Sequence, residues 1–359
     1  MTYRPNEPHN DLPPLPPRAD CETIPVLRRC VTASRALAEL KGAGNLIPNQ
    51  TILINSIPLQ EARLSSEIEN IVTTQDALFR AAAEVESKVD PATREVLRYR
   101  TALRNGYEVI QQRDIDIDLM MDICTVLRDR PATLRDEERI LIEDVAAGAA
   151  VYTPPRGRAR IVAMLHNLET FLRGAKGLDP LLKMAIAHYQ FEAIHPFVDG
   201  NGRTGRILNL LVLLKAGLLE IPVLYLSRYI IQNKQAYYQR LRVVTEEDDW
   251  EGWLLYMLTA VEETALWTTQ RIEAIRSLMD ETIERCRTDL PRIYSRELVE
   301  TLFTQPYCKI AFLVDAGIGQ RQTASAYLQE LERVGVLRSE RVGREIVYRN
   351  TALLEILGG

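Results

Sequence analysis

The chain has 359 residues, of which 46% are hydrophobic and 26% are charged, and its formal net charge is −5. This length is enough for two or three domains of roughly 100–200 residues, and the composition excludes a disordered or fibrous protein. Because the chain as a whole has no basic excess, any nucleic-acid binding would have to be local.

No part of the sequence predicts a membrane span or a secretory signal. The longest apolar stretch, residues 207–214, is far shorter than the roughly 20 residues that a transmembrane helix needs. Residues 1–20 carry prolines and polar residues where a signal peptide would have its apolar segment. The five cysteines lack the close spacing of a zinc or redox motif, so we expect free thiols in a cytoplasmic protein.

The N-terminal third begins with a proline-rich arm and continues as helix. Residues 4–18, with the sequence RPNEPHNDLPPLPPR, contain too many prolines for a helix and predict a flexible, extended arm over residues 1–20. Residues 21–110 are predicted to form an N-terminal helical region. An apolar stripe at helical spacing predicts an amphipathic helix there; it consists of Leu64, Ile68, Ile71 and Val72.

A β-hairpin and a second amphipathic helix are predicted next. Between Asp136 and Gly157, two short apolar segments enclose a loop and end at a pair of prolines, which predicts a hairpin near residues 139–155. From Ile161 onward, apolar residues recur at helical spacing until Gly174 ends the segment.

Two segments that are apolar almost all round predict buried helices of a bundle. The first follows Asp179, a suitable N-cap residue, and the second covers residues 207–214 and stops near Gly217. Between them lies the polar loop HPFVDGNGRTGR, residues 195–206. Such polar density between two helices that must both be buried is typical of a functional site.

The middle of this loop has the composition of a phosphate-binding site. Gly200, Asn201 and Gly202 tolerate positive φ and leave the backbone unshielded, so their N–H groups can form an anion-binding nest before the next helix. Arg203 and Arg206, three residues apart, would place two guanidinium groups on one face beside the nest. The alternative is a tight turn followed by solvated surface arginines.

Two further residues of the loop suggest catalysis. A carboxylate beside a phosphate site needs a cation between the two, and Mg²⁺ carried by a nucleotide would supply it at Asp199. His195 ends the preceding helix, and an imidazole with an unperturbed pKa near 6.5 can take a proton at neutral pH. A helix-capping Asp199 and a structural His195 are the alternatives.

Residues 195–206 match every specified position of the Fic-domain signature, HPFx[D/E]GNGRxxR. This resemblance implies a mainly α fold, a Fic-type helical bundle with a β-hairpin flap, with a catalytic core at residues 111–270. It also implies transfer of AMP from ATP to a hydroxyl side chain of a target protein, which the flap at residues 139–155 holds as an added strand. In this scheme His195 deprotonates the target Ser, Thr or Tyr.

The resemblance also assigns roles to the rest of the loop. Phe197 anchors it in the core, Asp199 holds the Mg²⁺ ion that bridges the α- and β-phosphates, and Arg206 takes the γ-phosphate. For the adenosine pocket it favours Tyr237 over Asn233 and Tyr238. The residues predicted to bind the nucleotide are Gly200, Asn201, Gly202, Arg203, Thr204, Gly205, Arg206, Tyr237 and Glu69.

A second motif of the same family occurs upstream. Residues 64–70, LSSEIEN, match [S/T]xxxE[G/N] at Ser65, Glu69 and Asn70. In the family this motif lies on an inhibitory helix, so the resemblance implies that Glu69 pairs with Arg206 and blocks productive ATP binding. The alternative is an ordinary solvated helix face.

The C-terminal residues 285–359 predict a winged-helix domain from the order helix, helix, hairpin, with Gly343 at the turn. This region has 11 Lys and Arg and 9 Asp and Glu, a net charge of +2, which is too small to indicate DNA binding. Protein interaction is therefore favoured over DNA for this domain.

The leading hypothesis is an ATP- and Mg²⁺-dependent protein adenylyltransferase that is autoinhibited and, by the resemblance, homodimeric. One alternative is removal of AMP from a modified target, since a glutamate near the same site could orient a water molecule. The other is a transcription regulator that senses nucleotide, which would need a strongly basic recognition helix that residues 323–336 lack.

Overall fold

The structure, a computed structural model, describes residues 4–85, 88–136, 140–144, 149–174, 177–342 and 345–358. These residues are mainly helical with small antiparallel sheets, which confirms the predicted fold class. The N-terminal helices are α1 (Ile24–Asn45), α2 (Thr51–Ile68), α3 (Gln75–Ala82), α4 (Pro91–Ile110) and α5 (Ile117–Arg128). The central elements are β1 (Ile142–Asp144), β2 (Ala149–Tyr152), α6 (Arg158–Gly174), α7 (Pro180–Ile194), α8 (Asn201–Lys215), α9 (Leu226–Gln232), α10 (Lys234–Glu247) and α11 (Trp250–Asp289).

The predicted pair of buried helices forms the centre of the bundle. At the start of α7, the side chain of Asp179 accepts a hydrogen bond from the Leu181 N–H (2.8 Å), as the N-cap prediction requires. α7 packs against α8, and α4, α5, α6 and α11 surround the pair. Because both helices are apolar on nearly every side, burial on every side stabilises them.

α2 ends earlier than its apolar stripe predicted. Ile68 is its last helical residue, and Ile71 and Val72 lie beyond it. The helix stops because Asn70 takes a left-handed conformation (φ 62°) and the Ile71 N–H donates to the Ser66 carbonyl (3.0 Å), which closes a Schellman motif. Asparagine adopts this conformation more readily than most residues do.

The predicted hairpin is present. β1 and β2 pair antiparallel, with Ile142 opposite Tyr152, although residues 139 and 145–148 of the predicted range lie outside the described residues. The Tyr152 hydroxyl donates a hydrogen bond to the Ala193 carbonyl (2.8 Å). The hairpin is thereby fastened to the last turn of α7.

The proline-rich arm packs against the bundle, which differs from the predicted flexible arm. Leu12 and Leu15 are buried. The Asn167 side chain accepts from the Leu15 N–H (2.7 Å) and donates to the Leu15 carbonyl (3.0 Å), and the His9 N–H donates to the Thr153 carbonyl (2.9 Å). Two apolar side chains and these hydrogen bonds outweigh the lack of regular secondary structure.

The C-terminal region follows α11, a helix of 40 residues that continues through the predicted boundary after residue 270. The order helix, helix, hairpin is found with additional elements, in a sheet of order β3-β5-β4, while Gly343 lies outside the described residues. α14 carries two arginines and two glutamates, so it has no basic excess. The winged-helix assignment stays a prediction. The elements are α12 (Arg296–Thr304), β3 (Tyr307–Cys308), α13 (Ile310–Asp315), α14 (Arg321–Arg333), β4 (Arg338–Val342), β5 (Glu345–Arg349) and α15 (Thr351–Gly358).

None of the described helices combines the length and the apolar character that crossing a membrane requires. The five cysteines are free and buried, which confirms the expectation of free thiols. Burial raises the pKa of Cys124 to about 11, so this thiol stays protonated at neutral pH.

Candidate active site

His195 lies where α7 ends and the chain turns sharply. It is the C-cap residue of α7, has a left-handed φ of 49°, and its N–H bonds to the Phe191 carbonyl (2.9 Å). Burial and, secondarily, the Arg135 guanidinium lower the pKa of His195 to about 4. The imidazole is therefore neutral at neutral pH, as a proton acceptor must be.

Phe197 and Asn201 hold the segment between α7 and α8. The Phe197 ring is fully buried, as predicted for the anchor of the loop. The Asn201 side chain accepts from the Phe197 N–H (2.8 Å) and donates to the Phe197 carbonyl (2.8 Å). Asn201 therefore clamps the turn through its amide, a role that the sequence analysis did not assign to it.

The predicted polar loop is half helix. α8 begins at Asn201 directly after Gly200, whose φ of 87° makes the turn, and Gly202 is already helical. The first intrahelical hydrogen bond joins the Thr204 N–H to the Gly200 carbonyl (3.0 Å). The N–H groups of residues 201–203 therefore have no acceptor within the helix. The anion-binding nest is thus the N-terminus of α8 rather than a glycine loop.

A carboxylate occupies this helix N-terminus. Glu69 Oε1 lies 2.7 Å from Arg206 Nη2, and a Cβ atom added to Gly202 would collide with the same Glu69 oxygen. Although burial alone would raise the pKa of Glu69, the Arg206 guanidinium holds it below its usual value. Glu69 is therefore an anion placed where a phosphate would bind.

The upstream motif at residues 65–70 and the signature meet at Arg206, which is 1% exposed. Arg206 Nε donates to Ser65 Oγ (2.7 Å) and Nη2 donates to the Ser65 carbonyl (2.9 Å). Asn70 completes the motif by ending α2, which fixes the direction of Glu69. All three motif residues, Ser65, Glu69 and Asn70, thus have an identifiable structural task.

Arg203 and Arg206 do not share one face, contrary to the prediction. Arg203 Nη1 lies 2.5 Å from Glu95 Oε1 on α4 and its Nη2 lies 3.8 Å from Asp199 Oδ1, whereas Arg206 faces α2. Both arginines are buried, which excludes the solvated-surface alternative. Nothing in the sequence marks Glu95 as the partner of Arg203.

Asp199 lies beside the N-terminus of α8 with its side chain 59% exposed. Its Oδ2 is 3.5 Å from Arg128 Nε. Among the described residues, no three His, Cys, Asp or Glu side chains are grouped so as to hold a metal ion. A single exposed carboxylate fits an Mg²⁺ ion whose other ligands are phosphate oxygens and water.

Thr204 and Gly205 lie inside the bundle. Thr204 is fully buried, and a Cβ atom at Gly205 would collide with Glu192 of α7. Gly205 therefore allows the close packing of α7 and α8, and direct contact of either residue with a nucleotide stays a prediction.

Of the three aromatic or amide candidates for the adenosine pocket, Tyr237 is the least accessible. It is 2% exposed and its hydroxyl lies 2.8 Å from His188 Nε2, whereas the neighbouring Tyr238 is 42% exposed. Burial raises the pKa of Tyr238 to about 12, and the charge of Glu69 adds to this rise while that of Arg206 opposes it. Contact of Tyr237, Tyr238 or Asn233 with adenosine stays a prediction.

A buried carboxyl on α2, that of Glu61, was not among the predicted site residues. Glu61 accepts hydrogen bonds from the Ser227 N–H (3.0 Å), the Ser227 hydroxyl and the Tyr99 hydroxyl (3.3 Å). Burial raises the pKa of Glu61 to about 7. The signal was present, because Glu61, Ser65 and Glu69 follow each other at intervals of four and share one helix face.

Three family profiles match separate parts of the chain. They are described as Fic/DOC family N-terminal (residues 27–108), Fic/DOC family (residues 113–213) and protein adenylyltransferase SoFic-like, C-terminal domain (residues 278–353). Protein adenylyltransferase Fic of Drosophila grimshawi is 28% identical over 198 residues, 49% of this chain and 39% of the relative. A probable protein adenylyltransferase of Aquifex aeolicus is 36% identical over 93 residues, 26% of this chain and 29% of the relative. The chain thus spans less than half the length of these relatives.

Solved structures show the same fold at low sequence identity. A Fic family protein from Desulfovibrio desulfuricans has a TM-score of 0.58 at 20% identity, over 93% of this chain and 98% of the other. Fic-1 from C. elegans has a TM-score of 0.54 at 19% identity, over 70% of this chain and 74% of the other. These likenesses concern the fold.

Proposed function

Because this chain carries Fic/DOC family domains followed by a SoFic-like C-terminal domain, we propose that it is a protein adenylyltransferase. It would transfer AMP from ATP to a Ser, Thr or Tyr hydroxyl of a target protein or of itself. The observation that carries the proposal is the neutral His195 beside a helix N-terminus that already attracts a carboxylate and is flanked by Arg206.

The chemistry follows from this arrangement. The phosphates of ATP would lie at the N-terminus of α8, where the N–H groups of residues 201–203 and Arg206 stabilise their charge. His195 takes the proton of the target hydroxyl, whose oxygen forms a bond to the α-phosphorus. The bond from that phosphorus to the oxygen bridging the β-phosphate breaks, and pyrophosphate leaves with the electron pair.

The proposal is tested by incubating the protein with Mg²⁺ and ATP labelled at either the α- or the γ-phosphate. We expect label on protein, either on the chain itself or on a protein of an added lysate, from α-labelled ATP only. Label from γ-labelled ATP alone would indicate a kinase. The Glu69→Gly variant is included so that an inhibited parent does not give a false negative.

We further propose that Mg²⁺ binds at Asp199. When bound there, the ion neutralises phosphate charge and orients the leaving group. The Asp199 carboxylate is exposed and close to the N-terminus of α8, which fits this role. Arg128 and Arg203 both lie near this carboxylate and restrain it.

Replacing Asp199 by alanine should weaken ATP binding in the presence of Mg²⁺ and leave metal-free ATP binding nearly unchanged. The reason is that the proposed contact of the carboxylate is with the ion, which is absent when ATP binds without metal. Calorimetric titration with and without Mg²⁺ measures both affinities. Asp114→Ala is the matched control, because its carboxylate is similarly exposed (56%) and lies away from the site. Equal losses of ATP affinity with and without Mg²⁺ would show that Asp199 only stabilises the segment between α7 and α8.

The position of Glu69 supports autoinhibition as part of the same proposal. Its carboxylate lies at the N-terminus of α8 and pairs with Arg206, so the γ-phosphate of ATP and Glu69 compete for one guanidinium. ATP would then bind in an unproductive pose until α2 moves.

The target would dock on the hairpin near residues 139–155, whose strand β2 is joined to α7 two residues before His195. The C-terminal domain would serve as a protein-interaction module, because α14 has no basic excess that would support DNA binding. The protein would also form a homodimer.

Removal of AMP is a second candidate, because the Glu69 carboxylate is close enough to the phosphate site to orient a water molecule. Incubating a labelled, modified target with the parent and with Glu69→Gly separates the two activities. Faster loss of label with the parent than with Glu69→Gly would favour this second function.

A further inference from the structure

A buried arginine holds the end of α7. Arg135, in the segment between α5 and β1, is 1% exposed. Its Nε donates to the His195 carbonyl (2.6 Å), its Nη2 donates to the Ile194 carbonyl (2.8 Å), and its own N–H donates to the Pro196 carbonyl (3.0 Å). One residue thus binds three successive carbonyl groups around the candidate base.

These hydrogen bonds provide partners for carbonyl groups at the end of α7. The last carbonyls of a helix have no partner within it, and a cation is favoured at that end. His195 is also in the left-handed region, which is unfavourable for a residue with a side chain and persists only where the surroundings enforce it. The left-handed turn decides the direction of the imidazole, so whatever enforces the turn also aims the ring.

The same carbonyl row connects to the hairpin. The Ala193 carbonyl accepts from the Tyr152 hydroxyl (2.8 Å), directly before the carbonyls that Arg135 binds. The carbonyls of residues 193–196 are therefore all held by the hairpin or by the segment that leads into it.

We propose that Arg135 is a positioning residue for AMP transfer, which fixes the backbone of His195 so that the imidazole meets the target hydroxyl. This rests on the proposed adenylyltransferase function. Arg135 also disfavours the imidazolium form through its charge, while Glu69 and Asp199 act in the opposite sense on the same ring.

Kinetics in the Glu69→Gly background test the proposal. Arg135→Ala should lower kcat about 10²-fold, the usual cost of misplacing a reacting group by about 1 Å. KM for ATP should change little, because the nucleotide binds at α8. Arg135→Lys, which keeps the charge and one donor, should recover part of kcat. Arg130→Ala, an exposed arginine upstream in the same segment, should match the background.

An NMR titration of the His195 ring gives a readout that needs no activity. Arg135→Gln should raise the pKa of His195, because the neutral side chain no longer disfavours the charged ring, and Arg135→Lys should not. An unchanged kcat in Arg135→Ala, or a parallel loss of kcat, ATP affinity and melting temperature with the pKa of His195 unmoved, would overturn the proposal. If Glu69→Gly transfers no AMP, the proposed function fails. The NMR titration would still show whether Arg135 acts on the His195 ring.

A different set of contacts links the C-terminal domain to the inhibitory region. α3 follows Glu69 after a short connection and carries Arg80. Arg80 Nη2 lies 2.7 and 2.8 Å from the two carboxylate oxygens of Glu340 on β4, so this pair joins α3 to the C-terminal domain. The Arg80 guanidinium lies 5.5 Å from the centre of the Tyr307 ring, and the Tyr307 hydroxyl bonds to Asp76. The Arg80 side chain is 15% exposed and that of Glu340 is 37% exposed, so the pair lies at the edge of the interface between α3 and β4.

We infer that the C-terminal domain stabilises the inhibited state by holding α3, and through it the end of α2 that carries Glu69. A shift of the end of α2 would take Glu69 away from the phosphate site, and α12 and α15 also pack against α2. A protein that competes for this face of the C-terminal domain would therefore raise AMP transfer. This inference rests on the proposed autoinhibition.

Charge exchange across the pair tests this inference. Arg80→Glu and Glu340→Arg should each raise the basal rate of AMP transfer about fivefold or more, the lower end of typical coupling between sites. The double variant should return to the parent rate. Hydrogen exchange of α2 amides should rise and fall with the same variants. Arg333→Glu, which breaks an exposed pair with Glu330, is the control. If both single variants match the parent in AMP-transfer rate and in hydrogen exchange while Glu69→Gly is active, the inference about the C-terminal domain is wrong. The proposed autoinhibition by Glu69 would not be affected by that result.

Discussion

Glu69→Gly is expected to raise the initial rate of AMP transfer by about tenfold to a hundredfold, within the 5–150-fold range of typical coupling energies. In the structure the Glu69 carboxylate lies 2.7 Å from Arg206 and at the N-terminus of α8. Two anions cannot share that position, so under the proposed function the γ-phosphate of ATP would reach Arg206 only when Glu69 is absent or displaced.

The same geometry predicts that substitutions on the two sides of the pair act in opposite directions. Arg206→Ala removes the only partner that the γ-phosphate is proposed to have, and it also leaves Ser65 and Glu69 of α2 without their guanidinium. Adding Arg206→Ala to Glu69→Gly should therefore abolish the gain in rate. An ordinary solvated helix face predicts instead that Glu69→Gly changes stability slightly and activity not at all.

Initial rates of the parent, Glu69→Gly and the double variant, measured over a range of ATP concentrations, decide the question. Glu67→Gly is the matched control, because it carries the same change on the same helix but pairs with Arg63 instead of Arg206. A Glu69→Gly rate no higher than that of Glu67→Gly at every ATP concentration would remove autoinhibition from the proposal.

His195→Ala should lower the rate of AMP transfer by about 10²–10⁴-fold, the usual contribution of a general base. ATP affinity should be nearly retained, because the base acts in the transition state and the phosphates bind at α8. The lowered pKa of His195 keeps the imidazole neutral at neutral pH, so the group lost is a competent proton acceptor.

This experiment is best made in the Glu69→Gly background, where the rate to be lost is largest. Calorimetry of ATP binding shows that the site is intact. His166→Ala, a histidine of α6 that is mostly exposed, controls for the loss of an imidazole. If His195→Ala keeps the background rate, His195 is a structural C-cap and another group must take the proton.

The sequence by itself determined the features that depend on local pattern. The apolar periodicity and the N-cap Asp179 predicted α7, the run at residues 207–214 predicted α8, and the paired short segments predicted the hairpin. The signature at residues 195–206 also indicated the phosphate site and the base. Helix propensity, capping and turn chemistry act between residues a few positions apart, so they can be read along the chain.

Only the tertiary structure decided which partner each polar group takes. Arg203 meets Glu95 across 108 positions, and Arg135 reaches the carbonyl of His195 across 60. Sequence periodicity says which face of a helix is buried but not which side chain lies opposite, because that depends on how the helices cross. Arg135, in the segment between α5 and β1, and Glu69, at the end of α2, are both brought to the junction of α7 and α8 by packing between parts of the chain that are distant in sequence.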